Sequence, residues 1–133
     1  DDPSTVRALL AWIDRAPREA PFFAVYMPIA GHHPYQSPGR GPGPLPERHA
    51  RDAYLNDLHA GDDALGALRA GLRARGLDER TLYVVMGDHG QAFEEHEGNF
   101  AHALFLYEEN LHVPFFVAAP AALAAGLRAP QPA

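Results

Sequence analysis

Thr81-Leu82-Tyr83-Val84-Val85-Met86-Gly87-Asp88-His89-Gly90 is the stretch on which the fold turns. It is a short apolar run, rich in β-branched and aromatic residues, that stops abruptly at Gly-Asp-His-Gly. Such a run reads as a buried strand with two metal-capable side chains at its C-terminal end. In open α/β sheets ligands bind in the crevice at those strand ends. A carboxylate and an imidazole side by side there can share a hard or borderline divalent cation. Gly87 and Gly90 let the backbone turn sharply around them. Asp and Gly also suit an ordinary turn after a strand. Two ligands do not close a site, because most divalent metals take four or more.

Working towards the N-terminus, the strand is preceded by a long helical pattern from about Ala50 to Arg75. Tyr54, Leu58, Gly61, Leu65, Leu68 and Leu72 alternate steps of four and three, which predicts one apolar helix face. Asn56, Asp57, Asp62 and Asp63 read as surface or packing residues of that helix. Arg69, Arg73 and Arg75 complement the helix dipole, and Gly76 is a natural C-cap. Residues 36 to 46 hold four prolines and three glycines and read as an irregular loop. Before them, Pro21 to Pro28 predicts a buried strand leading into Gly31-His32-His33-Pro34-Tyr35. The first helix is expected to start with Asp2 as N-cap and Pro3 at its first position, with Val6, Leu9, Leu10 and Ile13 at helical spacing.

Towards the C-terminus, residues 91 to 103 are polar and rich in His and Glu. Residues 104 to 109 predict a short helix and 112 to 118 another strand. The tail after Pro120 is Ala-rich, then Pro-rich, and is expected to fray. Alternating helices and strands predict an α/β fold with a mostly parallel or mixed sheet flanked by helices. The 133 residues suit a single domain or part of a larger one.

Composition narrows the function. A formal charge of −6, from 11 basic and 17 acidic residues, argues against a basic nucleic-acid-binding face. No cysteine is present, so no disulfide, thiolate-zinc site or cysteine nucleophile exists within these residues. There is no secretory signal and no apolar run long enough to span a bilayer. The chain begins Asp1-Asp2-Pro3 without Met and reads as a piece of a longer or processed protein. The glycine-rich loop at 39 to 43 lacks the Lys of a phosphate loop.

Two further clusters bear on chemistry. His32-His33-Pro34-Tyr35 follows a predicted strand, and a histidine there could donate to an anionic oxygen or protonate a leaving group. It also fits a plain surface turn. Glu94, Glu95 and Glu97 read as a solvated loop. His102 lies between the metal strand and a predicted helix, where a cation or imidazole could neutralise an oxyanion. His49, His59 and His112 read as surface or structural residues.

Taken together, these segments resemble the sulfatase family of the alkaline phosphatase superfamily. FFAVYMPIAGHHPY resembles the family's strand and His-x-Pro-Tyr. YLNDLHAGDDALGALRAGLRARGLDERTLYVVMGDHG resembles its helix and metal strand, and EEHEGNFAHALFLYEENLHVPFFV the stretch that ends in Val-Pro. The likeness covers about residues 20 to 120. It implies an alkaline-phosphatase-like sheet, here incomplete, and hydrolysis or transfer of an anionic sulfate or phosphate ester at a divalent metal (Ca, Mn, Zn or Mg). By position Asp88 and His89 match metal ligands, His32 a substrate-contacting histidine, and His102 the place where many sulfatases carry a Lys. The His at 102 and Asp-His in place of Asp-Asn lean towards phosphoesterase-like relatives.

The family's nucleophile and first metal carboxylates lie near the start of its domain. No Cys-x-Pro-x-Arg occurs here, and Asp1-Asp2 is a poor match for the early Asp pair. The chain therefore reads as the C-terminal portion of a catalytic domain with half a site, which alone is expected to turn over little or no ester. Exposed sheet edges of such a piece imply self-association. Exported or membrane-anchored parents, periplasmic ones included, are common in the family. The competing reading is a non-catalytic α/β module for metal binding or interaction.

Overall fold

The computed structural model describes residues 1–17, 19–124 and 126–128. The chain divides into two compact units, Asp1–Leu72 and Arg73–Ala133.

In the first unit, helix α1 (Asp2–Arg15) begins one residue earlier than the sequence suggests. Asp1, not Asp2, is the N-cap, and its carboxylate accepts from the Ser4 amide at 2.8 Å. Such a cap stabilises a helix by about 1 kcal/mol. Asp2 is thereby placed in the first turn, buried, where its two oxygens accept from the amides of Ile29 and Ala30 at 2.8 and 3.0 Å. Val6 and Ile13 are buried along α1, and Leu10 closes on Gly71, where any Cβ would collide with it.

Helix α2 (Ala50–Ala74) matches the predicted span. Its buried face does not match. Leu68 and Leu72 are buried as expected and Leu65 is half-buried, but Ala64, outside the predicted stripe, is buried too, and further up the buried residues are Asn56 and Asp57, while Leu58 stays 40% exposed. The reason is local: this end of α2 packs under the backbone of residues 31 to 45, whose amides need acceptors. Asn56 pairs with both the amide and the carbonyl of Leu45, at 2.9 and 2.8 Å. The loop rich in Pro and Gly is thus held by side chains of α2.

The strand predicted at 21 to 28 does not form. No ladder includes these residues among those described, and Phe23, Val25 and Met27 are 87%, 71% and 75% exposed. Phe22 and Tyr26, on the alternate positions, are half-buried. The period-2 pattern is present, but a strand needs a partner, and Pro21 and Pro28 offer no amide to one.

In the second unit, a single 3-10 turn (Asp78–Arg80) leads into β1 (Tyr83–Met86). Strands β2 (Ala92–Phe93) and β3 (Phe100–Ala101) form a small hairpin within the polar, His- and Glu-rich stretch 91 to 103, on either side of the loop that holds residues 94 to 97. Helix α3 (Glu108–Leu111) is one turn long and starts later than predicted, and β4 (Phe115–Ala118) follows. The expected mostly parallel or mixed sheet is not what is found. Strands β1 and β4 pair antiparallel, Met86 opposite Phe115 and Tyr83 opposite Ala118, and β2 pairs antiparallel with β3. Both sheets are two-stranded. A parallel pair needs a crossover that carries the chain back along the sheet, usually a helix. Here residues 87 to 114 leave and return at the same end of β1, and four-residue α3 is too short to carry them back. Among the described residues no helix is long and apolar enough to cross a membrane.

Candidate active site

The excursion between β1 and β4 carries the chemistry. Gly87 continues the ladder through its amide to the Pro114 carbonyl at 3.1 Å, which fixes where β1 ends. Asp88 and His89 come next. One Asp88 oxygen accepts from the His89 amide at 3.1 Å, and the other lies 3.7 Å from His89 Nε2. Both side chains are open to solvent, 79% for Asp88 and 41% for His89.

His89 Nδ1 faces the Gly90 carbonyl at 2.8 Å. A carbonyl only accepts, so this nitrogen carries a proton and Nε2 is the ring nitrogen that lies beside Asp88. Metal-binding histidines commonly show this arrangement. The His102 ring stacks on the His89 ring, with centroids 3.6 Å apart and planes at 23°. His102 Nδ1 lies 3.3 Å from Gln91 Oε1. Asp88, His89 and His102 are thus together at one end of β1.

Two features hold this group in place. The Gly90 amide donates to the Asn110 carbonyl at 2.8 Å, and the Asn110 side chain donates to the Ala101 carbonyl at 2.9 Å. Asn99 donates to Asn110 Oδ1 and to Glu109 Oε1, each at 2.7 Å, and His96 Nδ1 donates to the same Glu109 oxygen at 2.7 Å. Burial opposes charge on Glu109, but the hydrogen bonds from His96, its own amide and Asn99 outweigh it, so its carboxyl stays below the usual range. Nothing in the sequence distinguishes Asn99, Glu109 and Asn110 from surface residues; only their place under the loop reveals them.

A divalent cation of the kind implied for such proteins fits part of this group. Two ligands at about 2.0–2.2 Å from one ion sit roughly 3.0–3.5 Å apart. The separation of Asp88 Oδ2 and His89 Nε2, 3.7 Å, is close to that. Their oxygen and imidazole nitrogen suit a hard or borderline metal. Among the described residues no cluster of three or more His, Cys, Asp or Glu forms a fuller site.

His32 belongs to the other unit. It is exposed, with Nδ1 2.7 Å from the His33 carbonyl, so Nε2 is again its open nitrogen. Glu94, Glu95 and Glu97 are exposed, as expected of a solvated loop. His59 is half-exposed, 3.9 Å from Asp63, and His112 is exposed, 3.6 Å from Glu108.

The family model described as Sulfatase matches residues 1–132. The chain belongs to the sulfatase family. That match reaches beyond the quoted motifs at both ends. No curated protein and no solved structure matches the chain. Sulfatase-family membership supports a sulfatase-like hydrolase acting on anionic esters, in a family that generally uses a divalent metal. Asp1 caps α1 through one carboxylate oxygen, and both carboxylate oxygens of buried Asp2 accept from backbone amides.

Proposed function

We propose that this chain is the C-terminal portion of the catalytic domain of a metal-dependent ester hydrolase or transferase, acting on sulfate or phosphate esters. The observation that carries it is the convergence of Asp88, His89 and His102 at one end of β1, in a sulfatase-family chain. Asp88 Oδ2 and His89 Nε2 would hold a divalent metal, and the chemistry such an ion would supply there is neutralisation of charge on the transferred group and a lowered nucleophile pKa. His102 presents an imidazole edge beside these ligands and donates to a substrate oxygen. His32 is assigned contact with the anionic group or help to the leaving group, on the resemblance of His32-His33-Pro34-Tyr35 alone. The attacking group is assigned to residues outside this sequence. His102, and Asp-His in place of Asp-Asn, favour a phosphate ester or a related phosphorus centre over a strict sulfatase substrate.

A second reading is a binding module without turnover. It is favoured by the lack of a Cys-x-Pro-x-Arg nucleophile motif within these 133 residues. Hydrolysis of p-nitrophenyl phosphate and p-nitrophenyl sulfate, with Mn, Zn, Ca and Mg in turn, separates the two. The 133-residue chain is expected to be inactive with every metal. A longer chain that includes the preceding part of the domain is expected to be active, and Asp88→Ala to abolish its activity. Persistent inactivity of the longer chain leaves the binding module as the reading. Turnover by the 133 residues themselves, lost in Asp88→Ala, overturns the half-site.

A further inference from the structure

Asp57 has the most fully buried carboxylate of the first unit, at 0% exposure, and nothing in the proposed chemistry uses it. It sits on α2, and every donor around it comes from residues 31 to 40. Its Oδ2 accepts from the Gly31 amide at 2.7 Å and the Ser37 hydroxyl at 2.9 Å. Its Oδ1 accepts from the Ser37 amide at 2.9 Å, with Arg40 Nε at 3.6 Å. A carboxylate moved from water into a protein interior costs several kcal/mol unless donors replace its hydration. Here the donors flank one short segment, His32-His33-Pro34-Tyr35-Gln36.

The carboxylate therefore closes a loop between Gly31 and Ser37. Tyr35, 2% exposed, packs edge-on against Tyr54, one helical turn before Asp57, with ring centroids 5.5 Å apart. Gly31 has φ +91°, and a Cβ there would stand 3.0 Å from Leu58 Cδ2, so its amide reaches Asp57 only because it is glycine. Asp2 holds the two preceding amides, Ile29 and Ala30. Three successive amides thus meet two buried carboxylates. Next to them His32 stands exposed, with Nδ1 on the His33 carbonyl.

We propose that Asp57 is the positioning residue for His32: by tying Gly31 to Ser37 it fixes the backbone on which the imidazole keeps Nδ1 protonated and Nε2 facing outward. This deepens the reading of His32 as the histidine that meets the substrate anion, and rests on it. Asp57 itself touches no substrate. In Asp57→Asn, the amide nitrogen would face donors where an acceptor is needed, so one end of the loop is released while the side-chain volume is unchanged.

The test is a long-range proton–nitrogen NMR spectrum of the histidines in the full 133-residue chain, with His32 assigned through His32→Gln. In the unmodified chain His32 is expected to show the Nδ1–H tautomer. In folded Asp57→Asn it loses that signature and takes the mixture of a free imidazole, while His89 is unchanged. A merely structural role gives no selective change of tautomer. Retention of the His32 signature in folded Asp57→Asn, or an equal change at His89, overturns the proposal. Should Asp57→Asn fail to fold, Ser37→Ala removes one donor and is expected to give the same change in smaller measure; no change there overturns the proposal too. Titration with inorganic phosphate tests the underlying reading separately. A His32 that holds its tautomer but does not respond to phosphate supports the hold of Asp57 on the loop and counts against anion contact.

Discussion

Asn110 donates from its side-chain amide to the carbonyl of Ala101 at 2.9 Å, and Ala101 directly precedes His102. The backbone carbonyl of the same Asn110 accepts from Gly90, the neighbour of His89. One residue, 4% exposed, therefore holds the chain beside each of the two stacked histidines. Ala101 has φ +66°, a conformation that costs a non-glycine residue energy and persists only where its surroundings hold it. Asn110→Ala removes the donor to Ala101 and the acceptor for Asn99. It is expected to destabilise the chain by about 1–3 kcal/mol. Urea unfolding measures that loss, and the NMR signals of His89 and His102 should move together.

The Glu109 carboxyl gives the second unit an acid-labile contact. Its folded-state pKa lies below the ordinary glutamate value, because hydrogen bonds from His96, its own amide and Asn99 outweigh burial. The unfolded chain therefore binds the proton more readily. The contribution is complete above the unfolded value of about 4.3 and is lost as pH falls through the lower folded value. Thermal melts from pH 6 downwards are expected to show Tm falling below about pH 4.3. Glu109→Gln should flatten that part of the curve, and an unchanged slope in the variant would remove Glu109 as its source.

Gly90 is where a single methyl group should disrupt the site. A Cβ there runs into the carbonyl of Glu109, a backbone atom that cannot swing aside as a side chain would. The same approach allows the Gly90 amide to reach the Asn110 carbonyl at 2.8 Å. Gly90→Ala is expected to lower Tm and to separate His102 from His89. Gly98→Ala is the useful contrast, since no atom lies within 4 Å of a Cβ there, although its φ of +77° adds backbone strain. The larger fall in Tm should come from Gly90→Ala.

What the sequence makes legible is what depends on neighbours along the chain. Strands β1 and β4 are apolar runs bounded by Gly87 and Pro114, and both form. Helix α2 ends before Gly76, whose φ is +68°. Asp88, His89 and His102 are visible as chemistry-bearing types near a strand end. Pairing depends on distant residues, so the antiparallel direction of β1 and β4 is hidden, and the pattern at 21 to 28 predicts a strand that finds no ladder. Asp57 and Asn110 are hidden for another reason. A polar residue on a helix reads as solvent-facing, and only the amides of a separate segment show that it is buried.

The metal reading predicts a measurable affinity that depends on both Asp88 and His89. Calorimetric titration of the chain with Mn2+ or Zn2+ is expected to show weak binding, because among the described residues only two donors are together. Loss of an outer hydrogen bond to a metal ligand costs roughly 10–100-fold in affinity. Removal of a ligand itself, in Asp88→Ala or His89→Ala, should cost at least as much and take the remaining binding below detection. His59→Ala, a half-exposed histidine on α2, should leave it unchanged. Equal affinity in Asp88→Ala and the unmodified chain would mean that the ion is held elsewhere.

Exposed apolar side chains carry the last prediction. Met86, Phe115 and Phe116 on the β1–β4 pair are 63%, 66% and 51% exposed, and Leu104 and Leu106 exceed three-quarters at 79% and 83%. Soluble monomers rarely leave a contiguous apolar patch of more than a few hundred Å2 in water. Both strands are also edges, each with one neighbour, and so offer unpaired amides and carbonyls to another chain. The chain is expected to associate as its concentration rises, with the mass from light scattering climbing above that of one copy. Phe116→Lys places a charge in the middle of β4 opposite Val85 and should shift association to higher concentration without unfolding the chain. A concentration-independent monomer would show that these edges are too short, or too twisted, to recruit a partner.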